Sequence, residues 1–442
     1  MTDKLNRHYS YGGLIKYAAA PAAMMIFTSL YTVVDGFFIS NLAGKTAFAA
    51  VNLVIPYWMI MCGFGFMFGA GASALCGMLL GEQRRDLANQ AFTSIVMASV
   101  LFSIVLMIIG LVTLRPVCEL MGADAAMMPP CITYGNIVFA FLPTMFLQSL
   151  FQPLFSTMQK PALGFYFTLG AGLSNMVLDW VFVGLFGWGV AGAAFATGIG
   201  TVVGGVLPLI YVARSHSLTL QLVKCRISMH DVLKSAGNGS SELLSNVSQS
   251  VISIFFNWQL LRYAGETGVA AYGIMMYVGF IFVALSMGYM VAVSPLISYQ
   301  YGAQHHHELT SLYKKSLIIC AVSGIIMFIA AELLAEPLAR FFGGYDPELY
   351  KMTVHGFRIV CILFLLSGFN IFATAFFTAL NNGLISGMLA FCRTFLFQLI
   401  CIFVLPELFG LEGIWLSCVT AEVFALIVSI ITLKLQKRRY HY

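Results

Sequence analysis

The chain has 442 residues, of which 60% are apolar and only 9% charged, with a formal net charge of +5. A water-soluble monomer of this length needs a larger charged surface, so soluble enzymes and soluble scaffolds are excluded as classes. The positive balance is not a nucleic-acid signature, because Lys and Arg sit in short loops between apolar stretches, where they report topology.

A spanning helix needs about 20 apolar residues. Taken in chain order with Gly, Pro and charge as breaks, the sequence predicts twelve spans. They fall near 14–39, 47–78, 90–114, 131–158, 162–186, 190–213, 234–261, 268–300, 313–338, 352–380, 384–408 and 411–433. The first stretch is too long for the core of a signal peptide, lacks a small-residue cleavage site and is followed by further spans, so it reads as a retained helix. The long second, fourth, eighth and tenth spans must tilt or extend beyond the bilayer. With both termini inside, the inner segments hold 16 Lys and Arg against 5 in the outer loops. That imbalance predicts cytoplasmic termini. Most of the Cys lie inside apolar segments as buried thiols, while Cys118 and Cys131 flank one outer loop, within reach of pairing.

A shift of 221 residues superposes the punctuation of the two halves. Gly44 falls on Gly265, Gly81 and Gln83 on Gly302 and Gln304, Pro116 and Gly122 on Pro337 and Gly343, and Gly189 and Gly192 on Gly410 and Gly413. Six helices per half is an even number, so both halves run the same way and are related by an axis along the membrane normal, with a cavity between them. The expected fold is all-α and polytopic: twelve transmembrane helices in two six-helix lobes related by a parallel pseudo-two-fold repeat. The N-terminal lobe is expected at 1–213, a cytoplasmic linker at 214–233, the C-terminal lobe at 234–433 and a cytoplasmic tail at 434–442.

A charge inside a span costs about 2.5–3.5 kcal/mol, so each one calls for a partner or a role. Asp35 lies near the outer end of the first span. Asn175 and Asp179 are four residues apart on the fifth and share a face. Thr197 lies about 10 Å inside the sixth span, at a depth close to that of Asp179. Asp35, Asn175, Asp179 and Thr197 thus form an all-oxygen set able to share a proton or to bind a hard cation; static capping of helices is the plainer alternative. The second lobe lacks this set, since Phe256 and Ile400 occupy the equivalent positions. Its seventh span carries a polar stripe of Glu242, Asn246, Gln249, Ser253 and Asn257. Glu242 matches Arg393 of the eleventh span in depth, and Glu422 of the twelfth competes for the same arginine; structural pairing is the preferred reading of this second polar site. Arg358 has no assigned partner. His305, His306 and His307 lie beside Glu308 in a short loop and read as solvated. No phosphate loop, Ser–His–Asp order or Cys–x–x–Cys is present, which leaves ATP hydrolysis and covalent catalysis without a foothold.

With SLYTVVDGFFIS, LAGKTAFAAVNLVIP, NMVLD, GVAGAAFAT, SPLISYQYGAQ and LEGIWLSCVTAE in view, the chain resembles the multidrug and toxic compound extrusion (MATE) family over essentially its whole length. The resemblance implies a secondary active efflux transporter, not an enzyme. It would export cationic or amphipathic compounds in exchange for H⁺ or Na⁺, with no cofactor. In the prokaryotic branches with an acidic first lobe, the cation-coupling site matches Asp35, Asn175, Asp179 and Thr197 residue by residue, and no metal beyond a Na⁺ there is implied. Another branch relies on a Glu in the seventh span and an Asp in the tenth; Glu242 is a possible match for the first, but the tenth span has no Asp. The expected partners are the lipid bilayer and small cationic or amphipathic substrates, with no nucleic acid, and the expected home is the bacterial cytoplasmic membrane, as a monomer. A flippase for lipid-linked saccharides is the nearest alternative and would need a cavity ringed with several cations.

Overall fold

The computed structural model describes residues 5–38, 45–215, 217–343 and 346–442; the side chains at 32, 33, 35–38, 45–49, 277, 342 and 343 also lie outside the description. Among the described residues all regular structure is helical. That is the expected solution for backbone crossing lipid, where every N–H and C=O must find its partner inside its own segment.

The first three spans are single helices: α1 (Tyr11–Phe38), α2 (Lys45–Gly81) and α3 (Arg85–Leu120). The fourth span is a pair, α4 (Met128–Ala140) and α5 (Leu142–Thr157), bent by 53°. Pro143 explains the break: it has no N–H to extend the α4 hydrogen-bond ladder, and its ring crowds the carbonyl four residues back. The fifth span is α6 (Pro161–Asp179) continued by a π-helical turn, Trp180–Leu185, and the sixth is α7 (Gly189–Arg214).

A short helix, α8 (Met229–Asn238), follows the linker and is capped by the Ser228 hydroxyl, which accepts from the Asp231 N–H. The next helix, α9 (Ser240–Gly302), runs for 63 residues, about 94 Å if straight, or three bilayer cores. It is divided at Gly265, whose φ of 60° and ψ of −153° are not helical, into the seventh and eighth spans. The ninth span is α10 (His306–Gly343). The tenth joins α11 (Pro347–Val360) to α12 (Phe364–Ala379) through one 3₁₀ turn. The eleventh joins α13 (Gly383–Phe391) to α14 (Phe397–Phe409) through a second π turn, Cys392–Leu396, and the twelfth is α15 (Leu411–Tyr440). Counting the bent pair as one span and dividing α9 at Gly265 yields twelve.

The halves repeat in backbone detail. Gln83 and Gln304, 221 residues apart, both take left-handed φ values (60° and 58°), as do Gly189 and Gly410 (54° and 60°). The repeat is also visible where the lobes touch. A Cβ on Gly81 would lie 2.1 Å from the carbonyl oxygen of Tyr299, and one on Gly302 would lie 2.1 Å from that of Met78. Met78 and Tyr299 are themselves 221 apart, so the ends of α2 and α9 meet in a reciprocal contact with backbone against backbone. Ser298 reinforces it by donating to the Ala74 carbonyl at 2.9 Å.

The same end of the molecule gathers the N-terminal segment, the linker and the C-terminal tail. Gln300 donates to the Leu5 carbonyl, Arg85 to the Leu218 carbonyl, and the Tyr301 and Tyr440 rings lie 5.7 Å apart. The extended linker would strand its backbone donors at a low-dielectric surface. A polar edge on α3 receives them: Gln221 N–H donates to Asn89, Val223 N–H to Thr93 and Ser228 N–H to Ser94. Cys118 and Cys131 are free buried thiols in this structure, and all ten cysteines are unpaired.

Inserting a side chain at Gly81 must push α2 from α9. Gly81→Val is expected to lower the detergent melting temperature by several degrees, corresponding to about 1–3 kcal/mol. Gly273→Ala, where nothing lies within 4 Å, is expected to leave it unchanged.

Candidate functional site

In the first lobe, α6 packs between α1 and α7. Small residues set the spacing: a Cβ on Gly172 would meet the Phe27 ring of α1, and one on Gly200 of α7 would touch Ala171 and Asn175. This places Asn175 against Thr197, whose hydroxyl accepts from the Asn175 amide at 3.5 Å. The Asn175 carbonyl oxygen is buried and has no hydrogen-bond partner among the described residues. Asp179, one turn further on, is fully buried. Three of the four expected oxygen donors therefore sit on facing turns of α6 and α7. The fourth, Asp35, belongs to α1, and its side chain lies outside the described residues. Thr144 and Thr201 add a hydroxyl pair at 2.6 Å between α5 and α7, one turn beyond Thr197.

In the second lobe, Arg393 is bound by Glu422, with Nε 2.9 and 3.2 Å from the two carboxylate oxygens. Asn370 donates to the same carboxylate at 2.7 Å and to the Glu422 carbonyl at 3.0 Å, and Ser429 donates to the Asn370 side-chain oxygen at 3.1 Å. Glu422, Asn370 and Ser429 are buried, while Arg393 keeps one edge open. The five residues expected as a second polar site therefore divide. Arg393 and Glu422 are a structural pair. Glu242 makes no side-chain hydrogen bond or ion pair with Arg393 or any other described residue; it and Asn246 face the space between the lobes. Gln249, further along the same stripe, is exposed and does not line that space. Matched depth fixes height along a helix but not the direction in which a side chain points, and α15 presents its acid to Arg393 more directly.

The remaining charges are accounted for at the surface. Arg358 pairs with Glu332 at 3.3 Å and Glu336 at 2.8 Å, both on α10. His305 contacts Gln300, and Glu308 contacts His307 and His8.

Between the lobes lies a cavity of about 280 Å³. The N-lobe contributes Met25, Phe66, Ser73, Ser149 and Gln152. The C-lobe contributes Glu242, Asn246, Met287, Met290, Thr374 and Arg393. Its wall is thus thioether, aromatic, hydroxyl and amide, with one unpaired acid and one arginine already neutralised. Flexible Met side chains adapt to ligands of different shape. Both π turns bear on charged residues: one begins directly after Asp179, and the other contains Arg393. A π turn carries one extra residue and rotates the side chains around it, a device frequent at functional sites.

Two six-helix lobes of parallel orientation around a polar-rimmed cavity define a membrane transporter fold. The chain belongs to the MatE family: the family model matches residues 21–181 and again 243–404. The two matches begin at the offset of the internal repeat to within one residue. Relatives include the Multidrug export protein MepA of Staphylococcus saprophyticus, 22% identical across 97% of this chain and 94% of that protein. MepA of Staphylococcus aureus strain MSSA476 is also 22% identical, across 94% and 92%. Among solved structures, MATE in complex with MaL6 aligns with a TM-score of 0.93 at 20% identity, covering 98% of both chains. A MOP superfamily transporter from Pyrococcus furiosus, described as having a binding pocket of reverse polarity, aligns with a TM-score of 0.92 at the same identity and coverage.

Removing one member of a buried ion pair strands the other charge. Glu422→Gln is expected to destabilise by about 2–3 kcal/mol, the lower range because Arg393 is partly open to the cavity. The double replacement Arg393→Met, Glu422→Met is expected to recover most of that loss in thermal unfolding.

Proposed function

We propose that this protein is a secondary active exporter of cationic amphipathic compounds, driven by entry of H⁺ or Na⁺ across a bacterial cytoplasmic membrane. The observation that carries this reading is the fully buried Asp179 beside Asn175, which keeps an unsatisfied carbonyl oxygen, and Thr197. Oxygen donors gathered in low dielectric bind a proton or a small hard cation, and neither role is served by an apolar core. Asp35 completes the set in the proposal. The relatives' name, Multidrug export protein, supports the substrate class.

The cavity supports it independently. Glu242 is its unpaired acid, Arg393 is cancelled by Glu422, and the rest of the wall is apolar or carries neutral hydroxyl and amide groups. A lipophilic cation fits that chemistry, whereas a saccharide pyrophosphate would need several free cations. In this reading residues 1–213 and 234–433 are the two lobes, and the end closed by Gly81 and Gly302 is cytoplasmic. The cavity then faces outward, as in a solved MATE multidrug resistance transporter captured outward-facing. Binding of the coupling ion must favour one lobe arrangement over another, because only differential affinity transmits work between sites.

In proteoliposomes with separately imposed Na⁺ and pH gradients, Asp179→Asn and Asp35→Asn are expected to reduce ion-driven efflux of a lipophilic cation to the level of empty liposomes. Binding of that cation should remain close to wild type. Glu242→Gln should instead weaken cation binding about tenfold while leaving the gradient dependence of the residual flux intact. Wild-type efflux by Asp179→Asn at matched reconstitution removes Asp179 from the coupling role.

A further inference from the structure

Beneath the closed ends of the lobes lies a second cavity of about 460 Å³, outside the transport pathway described above. Its wall brings together Lys234 of α8, Tyr301 at the end of α9, Asn382 at the start of α13, Arg439 at the end of α15 and Met78 of α2. The floor is fixed. Asn382 donates to the buried Tyr440 hydroxyl at 2.6 Å, and the Arg439 guanidinium lies 5.6 Å over the Tyr440 ring. Neither Lys234 nor Arg439 forms an ion pair among the described residues. Glu82, whose charge reaches Tyr301, pairs with Arg84 at 3.2 Å. Two cations thus line a concave polar surface that no acidic side chain lines.

A second feature separates this site from a solvated basic patch. Leu384, a lining residue, is 86% exposed, and Leu435, on the same face of α15 as Arg439, is 72% exposed. Leucines this open at the end of a spanning helix meet acyl chains. The wall therefore offers a phosphate-binding head and an apolar apron side by side, the two-part chemistry of a phospholipid. Basic side chains just beyond the end of a spanning helix attract anionic lipid, and α15 ends in Lys434, Lys437, Arg438 and Arg439.

The geometry points to a binding site for an anionic glycerophospholipid, its phosphate held by Lys234 and Arg439 and one acyl chain laid along Leu384 and Leu435. Met78 is the residue against which Gly302 packs, and Tyr301 adjoins Gly302 in α9, so the lipid touches both lobes where they close and stabilises that closed end. The assignment does not depend on the transported compound or the coupling ion.

The test uses the purified full-length protein in detergent, with phosphatidylglycerol, phosphatidylcholine or inorganic phosphate added. Bound lipid is read by native mass spectrometry and stability by thermal unfolding. Phosphatidylglycerol is expected to be retained and to raise the melting temperature, while phosphatidylcholine and inorganic phosphate do neither. Each Lys or Arg at a membrane surface contributes about fivefold in affinity, so Lys234→Gln with Arg439→Gln should weaken retention about 30-fold. The charge-matched pair Lys434→Gln with Arg438→Gln, outside the cavity, should weaken retention far less and keep the rise in melting temperature. Both replaced residues of the test pair are exposed, and unchanged melting of the lipid-free variant confirms its fold. Equal loss in the two double variants, or loss in neither, overturns the site. Displacement of phosphatidylglycerol by millimolar inorganic phosphate overturns its assignment to a lipid.

Discussion

The contact of Gly81 with Tyr299 and of Gly302 with Met78 sets the shape of everything else. Two helices approach this closely where one of the facing residues lacks a Cβ, and here each lobe supplies one glycine to the other's carbonyl. The same device recurs nearby, where Gly71 packs on the Ser235 carbonyl and Gly239 on that of Met67. With one end of the bundle pinned so closely, the cavity lined by Glu242 and Met290 is the space left between the lobes above that contact. Because the pinning residues are repeat partners, neither lobe is scaffold for the other. Close packing of this kind is bistable: the backbones are in contact or they are apart, with little gained between.

The lobes share a backbone but have diverged in charge. The first lobe keeps its acid buried among neutral oxygens, whereas the second neutralises Arg393 with Glu422 and satisfies the remaining carboxylate capacity through Asn370. A buried pair of this kind is weak evidence for stability, since desolvation offsets much of the attraction. Its consequence for the cavity is larger. Were Glu422 absent, Arg393 would present a free positive charge beside Glu242 and cancel it. With Glu422 present, Glu242 remains the acid without a partner on that wall, and the polarity of the cavity follows from a residue that does not line it.

Span number, the repeat and its axis could be read from sequence because they rest on lengths of apolar chain and on punctuation by Gly and Pro. The meeting of Asn175 with Thr197 followed from depth along two neighbouring helices, which rise per residue fixes. Direction around a helix was not readable. Arg393 sits in a π turn, where an extra residue rotates every following side chain, so counting from the ends placed Glu242 and Glu422 at comparable reach and could not choose. The linker was legible as a polar break but not as a strap on α3. Asn89, Thr93 and Ser94 look like ordinary small polar residues until the extended backbone that needs them is in place. Nor does spacing show that the tail folds back to bury Tyr440 and Tyr442, since the residues around them are charged and read as solvent-exposed.

The proposed coupling requires one element that senses the first-lobe oxygens and also bears on the opposite lobe, and α1 fulfils both conditions. On one side, its Phe27 and Tyr31 rings fill the groove left by Gly172 of α6, three residues before Asn175 and seven before Asp179 on the same face. On the other, its backbone at Pro21 and Ala22 lies against Gly288 of α9, where an added Cβ would come within 2.3 Å of the Ala22 Cα. Pro21 removes one intrahelical hydrogen bond at that contact and so lowers the cost of changing direction there. Met25, between these two contacts, lines the central cavity. A shift of α1 toward or away from α6, as its Asp35 gains or loses a proton or Na⁺, would therefore alter the cavity wall and the contact with α9 together. The glycines at 172 and 288 hold α1 close to α6 and to α9 at once.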